Sequence, residues 1–286
     1  MTSIYPYSNS SKDQCGRAGY EHGFTLIEIA IVLVIVGLLL GGLLMPLATQ
    51  VEGQRRTETE KTLREINEAI IGFALVNGRL PCPANPALAT GVVGAGLERA
   101  PAPITTVCTG GIVGVVPWAT LGVSELDAWG RRFTYRVTDW YSDQILPTNT
   151  VAAPPPPPPA CVTNPTNASF ALCSDGDMLI NNGPSLGNVT VAQTIPAVIV
   201  SHGKNGRGAY LPTGLQMTCP VVPIPPPVIP PPDEVANAMC PGKTATLFIS
   251  HSPTSSTAPG GEFDDIVTWV VPATLKGRMV AAGRLP

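Results

Sequence analysis

The segment Gly23-Phe24-Thr25-Leu26-Ile27-Glu28 runs directly into the apolar stretch Ile29 to Ala48, and no other feature constrains this chain as strongly. It sets one carboxylate at the head of a run suited to lipid, of about the 20 residues that span a bilayer. An acid inside a membrane helix costs roughly 2.5–3.5 kcal/mol at the centre on insertion scales, so it normally has a partner and a task. Cleavage after Gly23 leaves Phe24 as the N-terminus, with Glu28 close behind it. The amine of one Phe24 and the Glu28 of a neighbour are then opposite charges in low dielectric, each costly alone and much less so as a pair. Such a pair also sets the register of one subunit against the next.

This arrangement resembles the class III signal of type IV prepilins and of the pseudopilins of type II secretion. The resemblance implies that a membrane-embedded prepilin peptidase cuts after Gly23 and methylates Phe24, and that Glu28 is the assembly carboxylate. It further implies a single-pass subunit of the bacterial inner membrane, its head in the periplasm, which an inner-membrane assembly platform lifts into a filament of like subunits. A plain secretory signal fits less well. Lys12 and Arg17 are balanced by Asp13 and Glu21, the glycine precedes the apolar run, and no A-x-A-like site follows it.

The 286 residues divide into a leader (1–23), an N-terminal helix (24–78) with its span at about 29–48, and a head (79–286). A net charge of −3 gives no general reason to expect nucleic acid or an anionic membrane surface as partner. With 29 Gly and 32 Pro, turns and loops should be abundant. Cys15 lies in the leader; the head carries Cys82, Cys108, Cys161, Cys173, Cys219 and Cys240. An even number fits disulfides whose connectivity sequence alone leaves open. Short loops favour Cys82–Cys108, Cys161–Cys173 and Cys219–Cys240. Zinc lacks a C-x-x-C pair or a neighbouring histidine, and disulfides agree with the periplasm.

Leu63, Ile66, Ile70 and Phe73 recur at helical spacing among charged residues, and Asn77-Gly78 followed by Pro81 supplies a stop. One helix is expected over Phe24 to Val76, bent at Gly41-Gly42 and Pro46, its first half membrane or filament core and its second half laid on the head. Arg132 to Val137 alternates as a half-buried strand should, and 197–200, 245–249 and 266–271 are further strands. With no helices regularly between them, the sheet should be antiparallel. The fold class is α+β: a long N-terminal helix, transmembrane in its first half, on an antiparallel sheet head with Pro-rich loops and disulfides. The polyproline tracts Pro154 to Pro159 and Pro223 to Pro232 read as rigid spacers outside any central sheet.

In the head, Asp127-Ala128-Trp129-Gly130 with Tyr135 resembles the D-x-W-G…Y segment of major pseudopilins. Ser201-His202-Gly203-Lys204-Asn205-Gly206 is similar to their S-x-G-x-D-G turn, and Asp264-Asp265-Ile266…Trp269 to their closing D-D-I-x-x-W. The resemblance implies a calcium ion held near Asp264 and Asp265, with Glu262 close by. Lys204-Asn205 departs from that pattern, standing where an acid is expected. Otherwise no cofactor is expected.

Enzyme readings lose on the residues. Cys240-Pro241-Gly242-Lys243-Thr244 fails as a phosphate loop because Asn237 stands where glycine is required. His202 and His251 adjoin serines, but adjacency does not make a triad, and surface or loop positions are expected for both. Arg131, Arg132 and Arg136 read as a charged strand face, with a small DNA patch as the competing reading. The expectation is a non-enzymatic structural subunit, a pseudopilin or minor pilin of a type IV pilus-like or type II secretion filament. The alternative is a membrane-anchored periplasmic binding or adhesion protein that does not polymerise.

Overall fold

Thr25 and the apolar periodicity behind it nucleate α1, which runs Leu26–Asn77, within one residue or two of the expected helix. The computed structural model describes residues 23–101, 108–143, 167–219, 233–240 and 246–285, the side chains of 40–48 excepted. It divides into Met1–Val51 and Glu52–Pro286. In the first unit Phe24, Leu26, Ile27, Leu33 and Leu38 are all exposed, an apolar surface of the kind that meets lipid or protein. No helix among the described residues is long and apolar enough to cross a membrane. The expected span of 29–48 and the expected bend include residues 40–48, whose side chains lie outside the described residues.

In the second unit the elements after α1 are β1 (Val113–Val115), α2 (Trp118–Leu121), β2 (Thr134–Val137), α3 (Asp139–Ser142), β3 (Met178–Asn181), a 3-10 turn (Pro184–Leu186), β4 (Thr190–Ile195), β5 (Ala197–Ser201), α4 (Glu234–Asn237), β6 (Leu247–Ile249), β7 (Ile266–Trp269) and α5 (Pro272–Ala281). Strands β1-β2-β5-β7 form an antiparallel sheet in that order. A second sheet, β4-β3-β6, pairs β3 with β6 in parallel. The expected all-antiparallel sheet is thus two sheets with one parallel pair, because the long excursion between β3 and β6 returns the chain in the same direction.

Apolar side chains lie on both faces of the first sheet. Phe133, Tyr135, Val137, Ala197 and Ile199 pack with Leu63, Ile66 and Ile70 of α1 and with Leu275 and Met279 of α5. Val198 and Val200 face the second sheet through Met178, Ile180 and Phe248. Strand β2 is therefore buried on both faces rather than half-buried. Phe73 is only partly buried, under the Arg79 guanidinium at 5.3 Å, and Ile71 and Ala74 fill the expected core position.

Two of the expected disulfides are present, Cys82–Cys108 and Cys219–Cys240, with Cα atoms 5.6 and 5.9 Å apart. Cys173 is disulfide-bonded as well; Cys161, the partner expected for it, lies outside the described residues. So do both polyproline tracts and the leader before Gly23.

Candidate functional site

At the N-terminus, Thr25 and Glu28 cap α1 reciprocally. Glu28 Oε2 accepts from the Thr25 main-chain N–H and from Thr25 Oγ1, both at 3.1 Å, while the Glu28 N–H donates to Thr25 Oγ1 at 3.2 Å. Thr25-Leu26-Ile27-Glu28 is a capping box, a local signal legible in the sequence beside the assembly reading of Glu28. Gly23 and Phe24 precede the helix, and Phe24 is 81% exposed.

In the head the three motif patches meet. Asp127 Oδ1 accepts the N–H groups of Trp129 and Arg131 at 2.9 and 3.0 Å, and its Oδ2 accepts Ser201 Oγ at 2.7 Å. Gly130 closes this turn at φ +79°. Arg131 donates to the carbonyls of Gly203 and Lys204. The Asn205 N–H donates to Asp264 Oδ2 at 2.8 Å. Gly203, at φ +52°, lies so close to Asp264 that any Cβ there would meet its carbonyl and carboxylate. The turn around Ala128 touches α1, where the Ala128 N–H donates to Thr59 Oγ1 at 3.2 Å.

Around this junction Asp264 and Asp265 are joined by Glu234 of α4, with one carboxylate oxygen of each within 4.8 Å of the others. Glu234 is almost fully buried. Its Oε1 accepts Asn205 Nδ2 at 2.6 Å and the Asp264 N–H at 3.2 Å, and its Oε2 lies 3.6 Å from Arg207 Nη1. Asp265 Oδ2 accepts Asn237 Nδ2 at 2.9 Å. Burial, and then the nearby acids with Asp265 foremost, push the Glu234 carboxyl up to about 8. Burial pushes Asp264 up to about 6, against the hydrogen bond from Asn205. Two buried oxygens, Glu234 Oε2 and Asp264 Oδ1, accept no hydrogen bond. Three crowded carboxylates with spare lone pairs fit a hard cation such as calcium, which takes oxygen ligands with carboxylates prominent. Glu262 is not among the three.

Glu234 was not foreseen. It lies 30 residues from Asp264 in the chain, inside the Cys219–Cys240 loop. The acid pair Asp233-Glu234 between two cysteines was its only sequence signal.

The histidines depart from expectation, since both side chains are buried: His202 is 0% exposed and His251 5%. His202 Nε2 shares a hydrogen bond with Thr134 Oγ1 at 2.8 Å, and its Nδ1 lies 3.7 Å from Asp265 Oδ1. His251 stacks on Phe263 and bonds Asp233 Oδ2 at 3.0 Å. Ser185 Oγ donates to that same oxygen at 2.5 Å. The carboxylate thus stands between hydroxyl and imidazole, whereas a nucleophilic serine needs the imidazole in the middle. Asn237, which broke the phosphate-loop pattern, instead bonds the main chain of Ile249 through both ends of its amide.

The three arginines do not form a surface patch. Arg132 and Arg136 are buried. Arg132 pairs with Glu125 at 2.8 Å and lies over Trp118, and Arg136 pairs with Asp177 at 2.6 Å. Arg131 spends its guanidinium on the Gly203 and Lys204 carbonyls. A buried guanidinium is kept where it finds a carboxylate, as Arg132 and Arg136 do.

Residues 19–44 match the family described as the prokaryotic N-terminal methylation motif. The match covers the class III signal and the start of α1, and it is consistent with a prepilin or pseudopilin type of protein. No curated protein and no solved structure matches the chain.

Proposed function

We propose that this chain is a structural filament subunit, a pseudopilin or minor pilin, cleaved after Gly23 by a prepilin peptidase, methylated on Phe24 and assembled through Glu28. The observation that carries the reading is the methylation motif at residues 19–44, with Glu28 in the first turn of α1. In this reading the exposed apolar side chains from Leu26 onward hold the subunit in the inner membrane and then pack as filament core. The head faces the periplasm, in keeping with its disulfides. The Phe24 ammonium of one subunit meets the Glu28 carboxylate of the next where little water can screen either charge.

The decisive experiment is the intact mass and N-terminal peptide of the membrane-extracted protein, with and without prepilin peptidase. The expected product begins at N-methylated Phe24 and disappears when Gly23 is replaced. A chain still starting at Met1, or cut downstream of Ala48, overturns the reading. A non-polymerising anchored binding protein would retain its activity in Glu28→Ala, whereas a filament subunit carrying that change fails to enter the sheared filament fraction.

A cation at Glu234, Asp264 and Asp265 accompanies this reading, favoured by the two carboxylate oxygens without donors. Calcium bound there would add positive charge beside three acids whose only arginine ion pair is that of Glu234 with Arg207, 3.6 Å away. The chain's own residues bring α4, the 201–206 turn and the start of β7 to one point. Calcium should raise the melting temperature of the wild-type protein and leave Glu234→Gln unmoved. Equal melting of the wild type in calcium and in chelator would remove the ion from the account.

A further inference from the structure

Among the described residues the two sheets present four edges, and three of them are closed to further pairing. Beyond β1, Ala84 exchanges main-chain hydrogen bonds with Val115. Beyond β6, the Asn237 amide takes both main-chain groups of Ile249. Strand β4 is mostly exposed, but its register against β3 shifts twice and Thr194 sits at φ +56°. Such irregularities blunt an edge. The outer edge of β7 has no comparable cover.

The Val270 N–H donates to the Ala197 carbonyl, and residues of an antiparallel pair alternate between bonded and unbonded positions. Thr268 and Ile266 therefore bond β5, while Val267 and Trp269 turn their main-chain groups away from it. The Trp269 carbonyl accepts Asn67 Nδ2 of α1 at 3.3 Å. The Val267 N–H and C=O and the Trp269 N–H have no partner among the described residues. Val267 lines a cleft of about 280 Å³ between β7 and the Arg56–Arg64 stretch of α1. Arg56 and Glu60, both in its wall, pair with each other at 3.1 Å, and Asp265 Oδ2 accepts Asn237 Nδ2. Arg64 is exposed and has no ion pair or side-chain hydrogen bond among the described residues. The hydroxyls of Ser250 and Thr268, which also line the cleft, are uncommitted in the same sense.

We propose that this cleft is a peptide-binding site, in which an extended segment of a partner protein adds to β7 as a short further strand and sets a carboxylate side chain on Arg64. A residue opposite Val267 exchanges two main-chain hydrogen bonds with it, and the next but one accepts the Trp269 N–H. Strand addition at an open sheet edge draws its affinity from such bonds and its selectivity from the side chains around them. Here Arg56, Glu60 and Asp265 already have partners, so the charge left to meet a ligand is the Arg64 guanidinium, whose planar fork matches a carboxylate. The site goes beyond the filament reading and stands whether or not the chain polymerises.

The test titrates the full chain, purified in detergent, with a fluorescent capped pentapeptide of threonine, valine, aspartate, valine and threonine, read by anisotropy. Binding should slow amide exchange at Val267 and Trp269 and leave β4 unchanged. Arg64→Glu should weaken binding about tenfold, and a probe with lysine at its centre should bind that variant better than the wild type. Val267→Pro removes an N–H that points away from β5, so it should spare the ladder and the melting temperature while weakening binding about tenfold. A probe N-methylated at alternate amides keeps its side chains and should not bind, which tests the same bonds should Val267→Pro unfold the head. No saturable binding by the wild type, undiminished binding by Arg64→Glu, or equal binding of the N-methylated probe overturns the site. None of these outcomes bears on the N-terminal peptide that decides the filament reading.

Discussion

Arg284 caps the C-terminus of α1: its Nε donates to the Leu75 carbonyl at 2.9 Å and its Nη2 to that of Val76. The last turn of α1 carries no basic residue of its own, so a cation from the far end of the chain satisfies carbonyls that the helix leaves open. Arg278, on α5, pairs with Glu68 at 2.5 Å and ties α5 to α1. Arg284→Ala should cost about 1–2 kcal/mol in denaturant unfolding. Amide exchange should quicken in the last turn of α1 and leave β5 unchanged.

The capping box gives Glu28 a structural role that can be separated from the one proposed for it in assembly. Glu28→Gln keeps a side chain able to reach the Thr25 N–H but removes the charge. Thr25→Ala removes the cap, worth about 1 kcal/mol, and keeps the charge. Filament assembly should survive Thr25→Ala and fail in Glu28→Gln. The reverse order would make Glu28 a helix cap and no more.

Asp143 introduces a pH dependence. It is 4% exposed and its Oδ1 has no hydrogen bond. Burial, and then Asp139, push its carboxyl from 3.8 up to about 7. The folded state therefore holds a proton that the unfolded state releases at lower pH, and stability falls as pH rises from about 4 through about 7. Asp143→Asn should flatten this slope and stabilise the protein at pH 8 by on the order of 2 kcal/mol, measured as the urea midpoint across pH.

Opening the Cys219–Cys240 bond should cost about 3 kcal/mol through the loop it closes. Glu234 lies inside that loop, so the Cys219→Ser, Cys240→Ser double variant should also lose any calcium-dependent rise in melting temperature. A retained rise would place the ion on Asp264 and Asp265 without Glu234.

Arg132 is fully buried and donates to Glu125, to Thr90 and to the carbonyls of Pro86, Leu88 and Pro212. Arg132→Met should destabilise the head by about 3–5 kcal/mol, because it strands Glu125 and several carbonyls at once. A loss under 1 kcal/mol in thermal unfolding would mean water replaces those bonds.

The amino-acid sequence by itself determined what is local. Gly23, Glu28 and the apolar run lie within one short stretch, the α1 periodicity repeats every three or four residues, and the two observed disulfides join cysteines 26 and 21 residues apart. Strands β2, β5, β6 and β7 were legible because their side chains alternate or run apolar over a few residues. Tertiary structure decided the rest. The short strands β1 and β3, the largely exposed strand β4 and the helix α5 did not stand out in the sequence and gain their shape from packing. The burial of Arg132, Arg136, His202 and His251 depends on carboxylates and hydroxyls dozens of residues away. Glu234 meets Asp264 only because the fold brings α4 and the start of β7 together. Hydrophobic period is a short-range property of the chain, whereas the pairing of a buried charge is settled by which distant segments the core brings into contact.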